Sequence, residues 1–212
     1  MKEAIAEAVG TFALVFIGVG AIASGQLADS GLVGIALAHG LTIAVMVSAT
    51  GAISGGALNP AVSIALWVTG KLSRAAAIRY VIAECVGAIA AALLLVIIIR
   101  SQVFAVNVGT PALADGINPI QGILIEAVTT FFLMFVIYGT ALDARAPKMA
   151  GLFIGLTVTL DILMAGPLTG AAMNPARHLG PALFSGQLLA SYIYWIGPVA
   201  GAVVAALLIH HV

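Results

Sequence analysis

The sequence predicts an all-α membrane protein of six transmembrane helices plus two re-entrant half-helices, arranged as two inverted repeats in one domain, 1–212. Its composition is the first observation behind this fold class. Hydrophobic residues make up 62% of the chain and charged residues only 8%, and the mean hydropathy is +1.19. A soluble domain carries about 25% charged residues. The chain is therefore expected to lie within a lipid bilayer.

An internal repetition is the second observation. The tripeptide Asn-Pro-Ala occurs at 59–61 and again at 174–176, which is 115 residues later. Residues 7–16 match residues 126–135 at seven of ten positions, with an offset of 119. Two unlike landmarks that recur in the same order indicate a duplication. In so apolar a chain, duplicated halves predict a substrate path where the halves meet.

The third observation is the number of long apolar segments. A helix needs about 20 residues to cross roughly 30 Å of hydrocarbon, and six segments satisfy this length. The abundance of glycine, 24 residues in all, suits close packing between transmembrane helices. In chain order the predicted spans are 4–24, 31–50, 76–99, 117–142, 149–165 and 188–210.

Two further apolar stretches, 57–68 and 171–184, are too short to span a membrane. Pro60 and Pro175 each follow an asparagine, which suits a helix N-terminus with Asn as the cap and Pro at the first helical position. Each stretch therefore predicts a half-helix that is entered from a loop. Such a loop is tolerated at membrane depth only when it is buried in protein or lines a watery cavity.

The basic residues predict the orientation. Six full spans place both termini on one side, and six basic residues fall on that side against Arg100 on the other. Excess Lys and Arg mark the cytoplasmic side, so both termini are expected in the cytoplasm. The repeats, about 1–100 and 117–212, are then inverted, joined by an extracellular loop at 100–117. The six cytoplasmic residues are Lys2, Lys71, Arg74, Arg79, Arg145 and Lys148.

Inverted half-helices enter from opposite faces, so their N-termini can meet at the midplane. Each N-terminus carries unpaired N–H groups and about half a positive charge. The amides of Asn59 and Asn174 would orient a passing water so that it cannot relay a proton, and cations would meet an unfavourable potential. The two motifs comprise Asn59, Pro60, Ala61, Asn174, Pro175 and Ala176. The backbone carbonyls expected to line the path are those of Gly55, Gly56, Ala57, Leu58, Gly170, Ala172 and Met173.

Other functional classes fit the sequence less well. A formal net charge of zero, without a basic patch, argues against nucleic acid as a partner. Cys85 is the only cysteine, so neither an internal disulfide nor a cysteine-based metal site is expected. No metalloprotease motif or nucleophile–base pair is visible, and we expect no enzyme activity, cofactor or metal. A secondary transporter remains the alternative, because inverted repeats with broken helices also build transporters.

Over essentially its whole length the chain resembles the aquaporin (major intrinsic protein) family. The motifs that carry the resemblance lie at 54–62 and 166–177, and the two Glu-x-x-x-Thr-Phe helices add to them. The resemblance implies an aquaporin-like fold and a passive channel for water and small neutral solutes that excludes protons and ions. It also implies a homotetramer of independent pores in the lipid bilayer. We expect the plasma (cell) membrane as its location.

The resemblance also implies a selectivity filter of His39, Ile162, Ala171 and Arg177, at the family's spacings from the two motifs. This set is similar to the filter of plant tonoplast intrinsic proteins, which can also pass ammonia or hydrogen peroxide. Ammonia would take hydrogen bonds from His39 and Arg177. A glycerol facilitator of the same family is the alternative, but its filter needs an aromatic group near Ala171.

Helical spacing gives independent support for a pore wall. Ile43 lies four residues after His39, and Val158 lies four residues before Ile162. Residues four apart share a helix face, so Ile43 and Val158 are expected to face the same path.

The remaining acidic residues near the motifs have competing interpretations. Glu7 and Glu126 could relay protons, but support of the re-entrant loop through backbone N–H groups is the favoured role. Asp161 either lines the wall or packs against the loop. Glu84 stands where the family usually carries Gln, and a carboxylate at this depth must be paired, protonated or reached by water. Ala57 replaces a His usual in the family, which predicts a wider constriction.

Overall fold

The computed structural model describes residues 1–28 and 30–210, and within these ranges the chain is helical throughout its regular structure. Six helices are long and apolar enough to cross a membrane, so the predicted all-α membrane fold is confirmed. In chain order the helices are α1 Lys2–Ala28, α2 Gly31–Ser54, α3 Pro60–Val68, α4 Arg74–Ile98, α5 Arg100–Ala105, α6 Pro119–Ile137, α7 Ala150–Thr169, α8 Pro175–Ser185 and α9 Ser191–His210. The order long, long, short, long occurs in α1–α4 and again in α6–α9.

The short helices begin where their asparagine caps predict. In α3 the Asn59 Oδ1 accepts a hydrogen bond from Ala61 N at 2.9 Å, and Pro60 is the first helical residue. In α8 the Asn174 Oδ1 accepts hydrogen bonds from Ala176 N at 3.0 Å and Arg177 N at 3.1 Å. The apolar stretches that begin at 57 and 171 are therefore loops at first and become helices only at the prolines.

Helix packing follows the duplication. In each half the first helix packs against the second and the last, and α2 crosses α7 between the halves. At this crossing Gly40 and Gly155, 115 residues apart, contact each other reciprocally, because a side chain on either would overlap the other's backbone carbonyl. Gly87 of α4 packs in the same way against the backbone of α1, and Gly201 of α9 packs against the backbone of α6. Close approach through small residues is the usual way in which membrane helices pack.

Several boundaries differ from the sequence prediction. α2 and α7 continue to 54 and 169 rather than ending near 50 and 165. Both end at a glycine in the left-handed region, Gly55 at φ 90° and Gly170 at φ 80°. The N–H of each glycine bonds the carbonyl four residues earlier. Hydropathy marks where a helix leaves the hydrocarbon, whereas the glycine cap decides where it ends.

The segment 100–117 was expected to be a plain loop, but it contains α5 and a 3₁₀ turn at Asn107–Gly109. α6 starts at Pro119, because Asn118 and Gln121 form a reciprocal capping box with hydrogen bonds of 3.0 and 2.8 Å. A π-helical turn, Tyr138–Leu142, follows α6, and a 3₁₀ turn, Leu188–Ala190, precedes α9. The predicted spans 117–142 and 188–210 are therefore not single α-helices.

Candidate functional site

A narrow cavity lies between the N-termini of the two half-helices. Its volume is about 40 Å³, which is enough for a few waters. Most of its lining side chains are apolar. Its hydrogen-bonding side chains are His39, Asn59, Asn174 and Arg177. The narrow cavity therefore suits a few small molecules and offers them only a small number of hydrogen-bonding side chains.

Most of the predicted path residues line the narrow cavity. They include the predicted wall residues Ile43 and Val158 and the loop residues Gly56, Ala57, Ala172 and Met173, along with Ile162 and Ala171. Two residues whose carbonyls were predicted to line the path, Gly55 and Leu58, are not among the lining residues of the narrow cavity. Gly55 is the C-cap of α2, and the carbonyl of Leu58 accepts hydrogen bonds from Asn174 and Thr11. Gly170 lines only the second cavity, described below.

The two asparagines join the re-entrant loops to each other. Asn59 Nδ2 donates to Met173 O and Asn174 Nδ2 donates to Leu58 O, both at 2.8 Å. Leu58 O also accepts from Thr11 Oγ1 at 3.2 Å, so both of its lone pairs are used. Each asparagine thus caps its own helix through Oδ1, bonds the opposite loop through one N–H, and keeps its second N–H for the cavity.

A second, wider cavity of about 200 Å³ adjoins the narrow one and is called the wide cavity below. Three residues line both cavities, namely His39, Ile162 and Arg177. They come from α2, α7 and α8, and they form the boundary between the two cavities. Ala171, the fourth predicted filter residue, lines the narrow cavity only. The structure thus brings the four predicted filter residues together around one end of the narrow cavity.

Arg177 is held rigidly at this boundary. Its side chain is 3% exposed, its Nη1 donates to Gly109 O at 2.9 Å, and its Nη2 lies 3.3 Å from His39 Nε2. Because arginine is only a donor, His39 Nε2 accepts this bond. His39 Nδ1 then carries the ring proton and donates to Ile35 O at 2.8 Å. The imidazole is neutral in this arrangement and offers no free N–H, so the expected donation from His39 to ammonia is wrong.

The sequence interpretation missed Gly18 and Gly109 as parts of this boundary. The His39 ring packs so closely on Gly18 that any side chain there would overlap the imidazole. Gly109 has φ 61°, which is favourable only for glycine, and it turns its carbonyl toward Arg177. Gly18 lies in a helix rich in small residues, and the turn at 107–109 carries no motif. No sequence signal therefore distinguished these two glycines from the others in the chain.

Glu7 and Glu126 hold the two re-entrant loops. Glu7 accepts hydrogen bonds from the backbone N–H groups of Ala57 at 3.1 Å and Leu58 at 2.5 Å. Glu126 accepts from Ala172 at 2.9 Å and Met173 at 2.7 Å. Both carboxyl groups are fully buried. These contacts are the ones that loop support requires, and both oxygens of each group are engaged in them.

Two tyrosines repeat this support from the last helix of each half. Tyr80 OH donates to Ser54 O at 2.9 Å, and Tyr194 OH donates to Thr169 O at 2.8 Å. Both carbonyls belong to the last helical residue before a re-entrant loop. The sequence interpretation did not identify this pair. The signal was present, because the tyrosines lie 114 residues apart, close to the offset of the Asn-Pro-Ala motifs.

Comparisons with known proteins agree with this geometry. Residues 1–209 match the family model described as major intrinsic protein. Aquaporin TIP4-4 of Zea mays is 42% identical over 98% of this chain and 84% of its own length. Aquaporin TIP2-3 of Arabidopsis thaliana is 38% identical over 98% of this chain and 86% of its own length. An X-ray structure of the aquaglyceroporin from Plasmodium falciparum covers all of this chain and 96% of its own, with a TM-score of 0.87 and 24% identity. That last likeness shows the fold alone.

Proposed function

The chain belongs to the major intrinsic protein (aquaporin) family, and we propose that it is a passive channel for water, ammonia and hydrogen peroxide that excludes protons and ions. Members of this family are channels rather than enzymes. The observation that carries the proposal is the narrow cavity between the cross-bonded asparagines, bounded at one end by Arg177 and His39. It fits molecules of the size of water in single file.

Proton exclusion follows from the hydrogen bonds that remain free at the junction. The second N–H of Asn59 and that of Asn174 can both donate to one water oxygen between them. That water has then used both lone pairs and cannot accept a proton from the next water in the file. The N-termini of α3 and α8 add a positive potential at the same place, which repels cations.

Solute selection is assigned to the boundary between the two cavities. Arg177 supplies donors and a fixed positive charge, while Ile162 and Ala171 supply apolar walls. Ammonia is close to water in size and can accept from Arg177, whereas ammonium would carry charge against that guanidinium. Glycerol needs a wider opening with an aromatic surface for its carbon backbone. We therefore rank the glycerol facilitator of the same family below a channel for water and ammonia.

The assembly and its setting are further parts of the proposal. α2 and α7 present large apolar side chains outward, such as Val45 at 63% exposed and Leu160 at 65%. Such faces require lipid or other copies of the chain, and a homotetramer would bury part of them. We place both termini in the cytoplasm and the channel in the plasma membrane. Native mass spectrometry from detergent tests the tetramer, and a fluorescent C-terminal tag tests the location.

Stopped-flow light scattering of proteoliposomes tests the proposed function. Under a sucrose gradient, vesicles with the protein should shrink far faster than empty vesicles, with an activation energy close to that of water self-diffusion. A counterflow assay with labelled solute separates the channel from a secondary transporter, because a carrier shows saturation and trans-stimulation. Shrinkage no faster than that of empty vesicles, or trans-stimulated solute uptake, would contradict the channel.

A further inference from the structure

Glu84 of α4 is a fully buried carboxyl group that the proposed permeation mechanism does not use. Its Oε1 accepts hydrogen bonds from Asn59 N at 3.1 Å and from Ser63 Oγ at 2.7 Å. Its Oε2 is buried and has no hydrogen-bond partner among the described residues. A charged carboxylate with one unsatisfied buried oxygen is costly, so its protonation state requires an explanation.

The nearest ionisable neighbour of Glu84 is another acid. Glu7 of α1 holds Ala57 N and Leu58 N, and Glu84 holds the next N–H, that of Asn59. The two carboxyl groups therefore bind three successive backbone N–H groups, which places them side by side beneath the first loop. The salt bridges of the described residues lie elsewhere, at Met1–Glu3 and Asp143–Arg145. Two adjacent buried acids without a cation do not both ionise.

The surroundings of Glu84 leave Glu7 as the group that sets its charge. Tyr80 and Cys85 are the titratable neighbours on α4 itself. α3 contributes the hydroxyl of Ser63 and the backbone of Asn59, neither of which ionises. α8 also packs against α4, but its two ionisable side chains make their contacts elsewhere: Arg177 with Gly109 O and His39, and His178 with the Tyr194 ring.

We propose that Glu7 and Glu84 share one proton, which resides on Glu84 Oε2, and that Glu84 is thereby a positioning residue for Asn59. The hydrogen bonds place the proton there, because each oxygen of Glu7 already accepts a backbone N–H and Oε1 of Glu84 accepts two donors. Among the described residues no donor reaches Oε2, whereas donors reach the other three oxygens, so Oε2 is the one that can carry a proton and donate to Glu7. Protonated Glu84 then has one oxygen that accepts hydrogen bonds and one group that donates a hydrogen bond, as the amide of a Gln would have at this position.

In the second half, among the described residues, a single carboxyl group is bonded to the re-entrant loop. There Glu126 accepts from Thr169 Oγ1 at 2.7 Å in addition to its two backbone N–H groups. The acid pair is therefore a property of the first loop, 55–59. Removal of its proton at alkaline pH would place two like charges side by side and loosen the contact with Asn59. A reversible loss of water permeability at high pH follows.

Infrared spectroscopy of the reconstituted protein in D₂O tests the shared proton. The wild type at neutral pH should show C=O absorption from protonated carboxyl groups, and Glu84→Gln should remove one component of it. Asp161→Asn is the matched control, because Asp161 is another buried acid with an oxygen that has no donor among the described residues, and its loss should leave the Glu84 component in place. A wild-type spectrum with no component that Glu84→Gln removes would overturn the proposal. This measurement does not depend on whether the protein conducts water.

The pH profile of water permeability tests the positioning role. Wild-type permeability should fall at alkaline pH with the same midpoint as the infrared band, and the profile of Glu84→Gln should be flat. Glu84→Leu keeps a side chain of similar size but removes the oxygen that accepts from Asn59 N. It should lower water permeability several-fold at every pH, whereas Glu84→Gln should keep the permeability near the wild-type value. A wild-type profile that stays flat while the band titrates would overturn the positioning role. If Glu84→Leu does not assemble, the pH profiles of the wild type and of Glu84→Gln test the positioning role by themselves.

Discussion

Replacement of Arg177 by Val is expected to raise glycerol and urea permeability at least about tenfold, which needs a barrier only about 1.4 kcal/mol lower. Arg177 lines both cavities and fills their boundary with a rigid, charged side chain. Valine removes the bonds to Gly109 and His39, widens the opening and removes the fixed charge. Water flux should stay the same or rise. Stopped-flow swelling with glycerol, urea and sucrose measures each permeability.

Arg100→Val is the matched control for this experiment. Arg100 begins α5, packs over the Phe104 ring at 5.2 Å, and does not line either of these cavities. The same substitution there should leave solute discrimination unchanged. If Arg177→Val discriminates among solutes as the wild type does, the filter lies elsewhere.

The double variant His39→Phe, Ile162→His is expected to lower ammonia permeability several-fold relative to water. In the wild type the boundary combines the Arg177 donors with the apolar wall of Ile162. The double change narrows this opening with a phenyl ring and exchanges the apolar wall for an imidazole, which favours water. Ammonia entry is measured from the rise of internal pH in vesicles loaded with a dye, beside water permeability in the same preparation.

Val47→His is the matched control for the double variant. Val47 lines the narrow cavity but not the wide one, and it lies 115 residues before Ile162, the same offset as the two motifs. The same imidazole away from the boundary should leave the ratio of ammonia to water permeability near the wild-type value. Two observations would contradict this assignment of the filter: an unchanged ratio in the double variant, or wild-type glycerol flux equal to water flux.

The sequence predicted the helices and half-helices because composition and capping residues act locally. Six apolar segments of sufficient length and the two Asn-Pro-Ala motifs determine most elements. The ends of α2 and α7 could not be predicted from hydropathy, since Gly55 and Gly170 end them through left-handed backbone caps. α5 is equally unpredictable, because six residues in a connecting segment give too short a pattern.

The predicted site residues come together around one cavity, but their hydrogen bonds were only partly predictable. The sequence indicated that Asn59 and Asn174 meet, and did not reveal that each donates to the loop of the other half. That contact depends on how two halves dock, over a separation of more than 100 residues. The neutral state of His39 likewise follows only from its position between Arg177 and Ile35.

Water and proton permeability measured in the same vesicles test the central claim most directly. Proteoliposomes that hold a pH-sensitive dye are exposed first to a sucrose gradient and then to a pH gradient, at several protein contents. The arrangement of Asn59 and Asn174 predicts that water permeability rises in proportion to the protein while the proton leak stays at the level of empty vesicles. A proton leak that rises together with the protein content would contradict it.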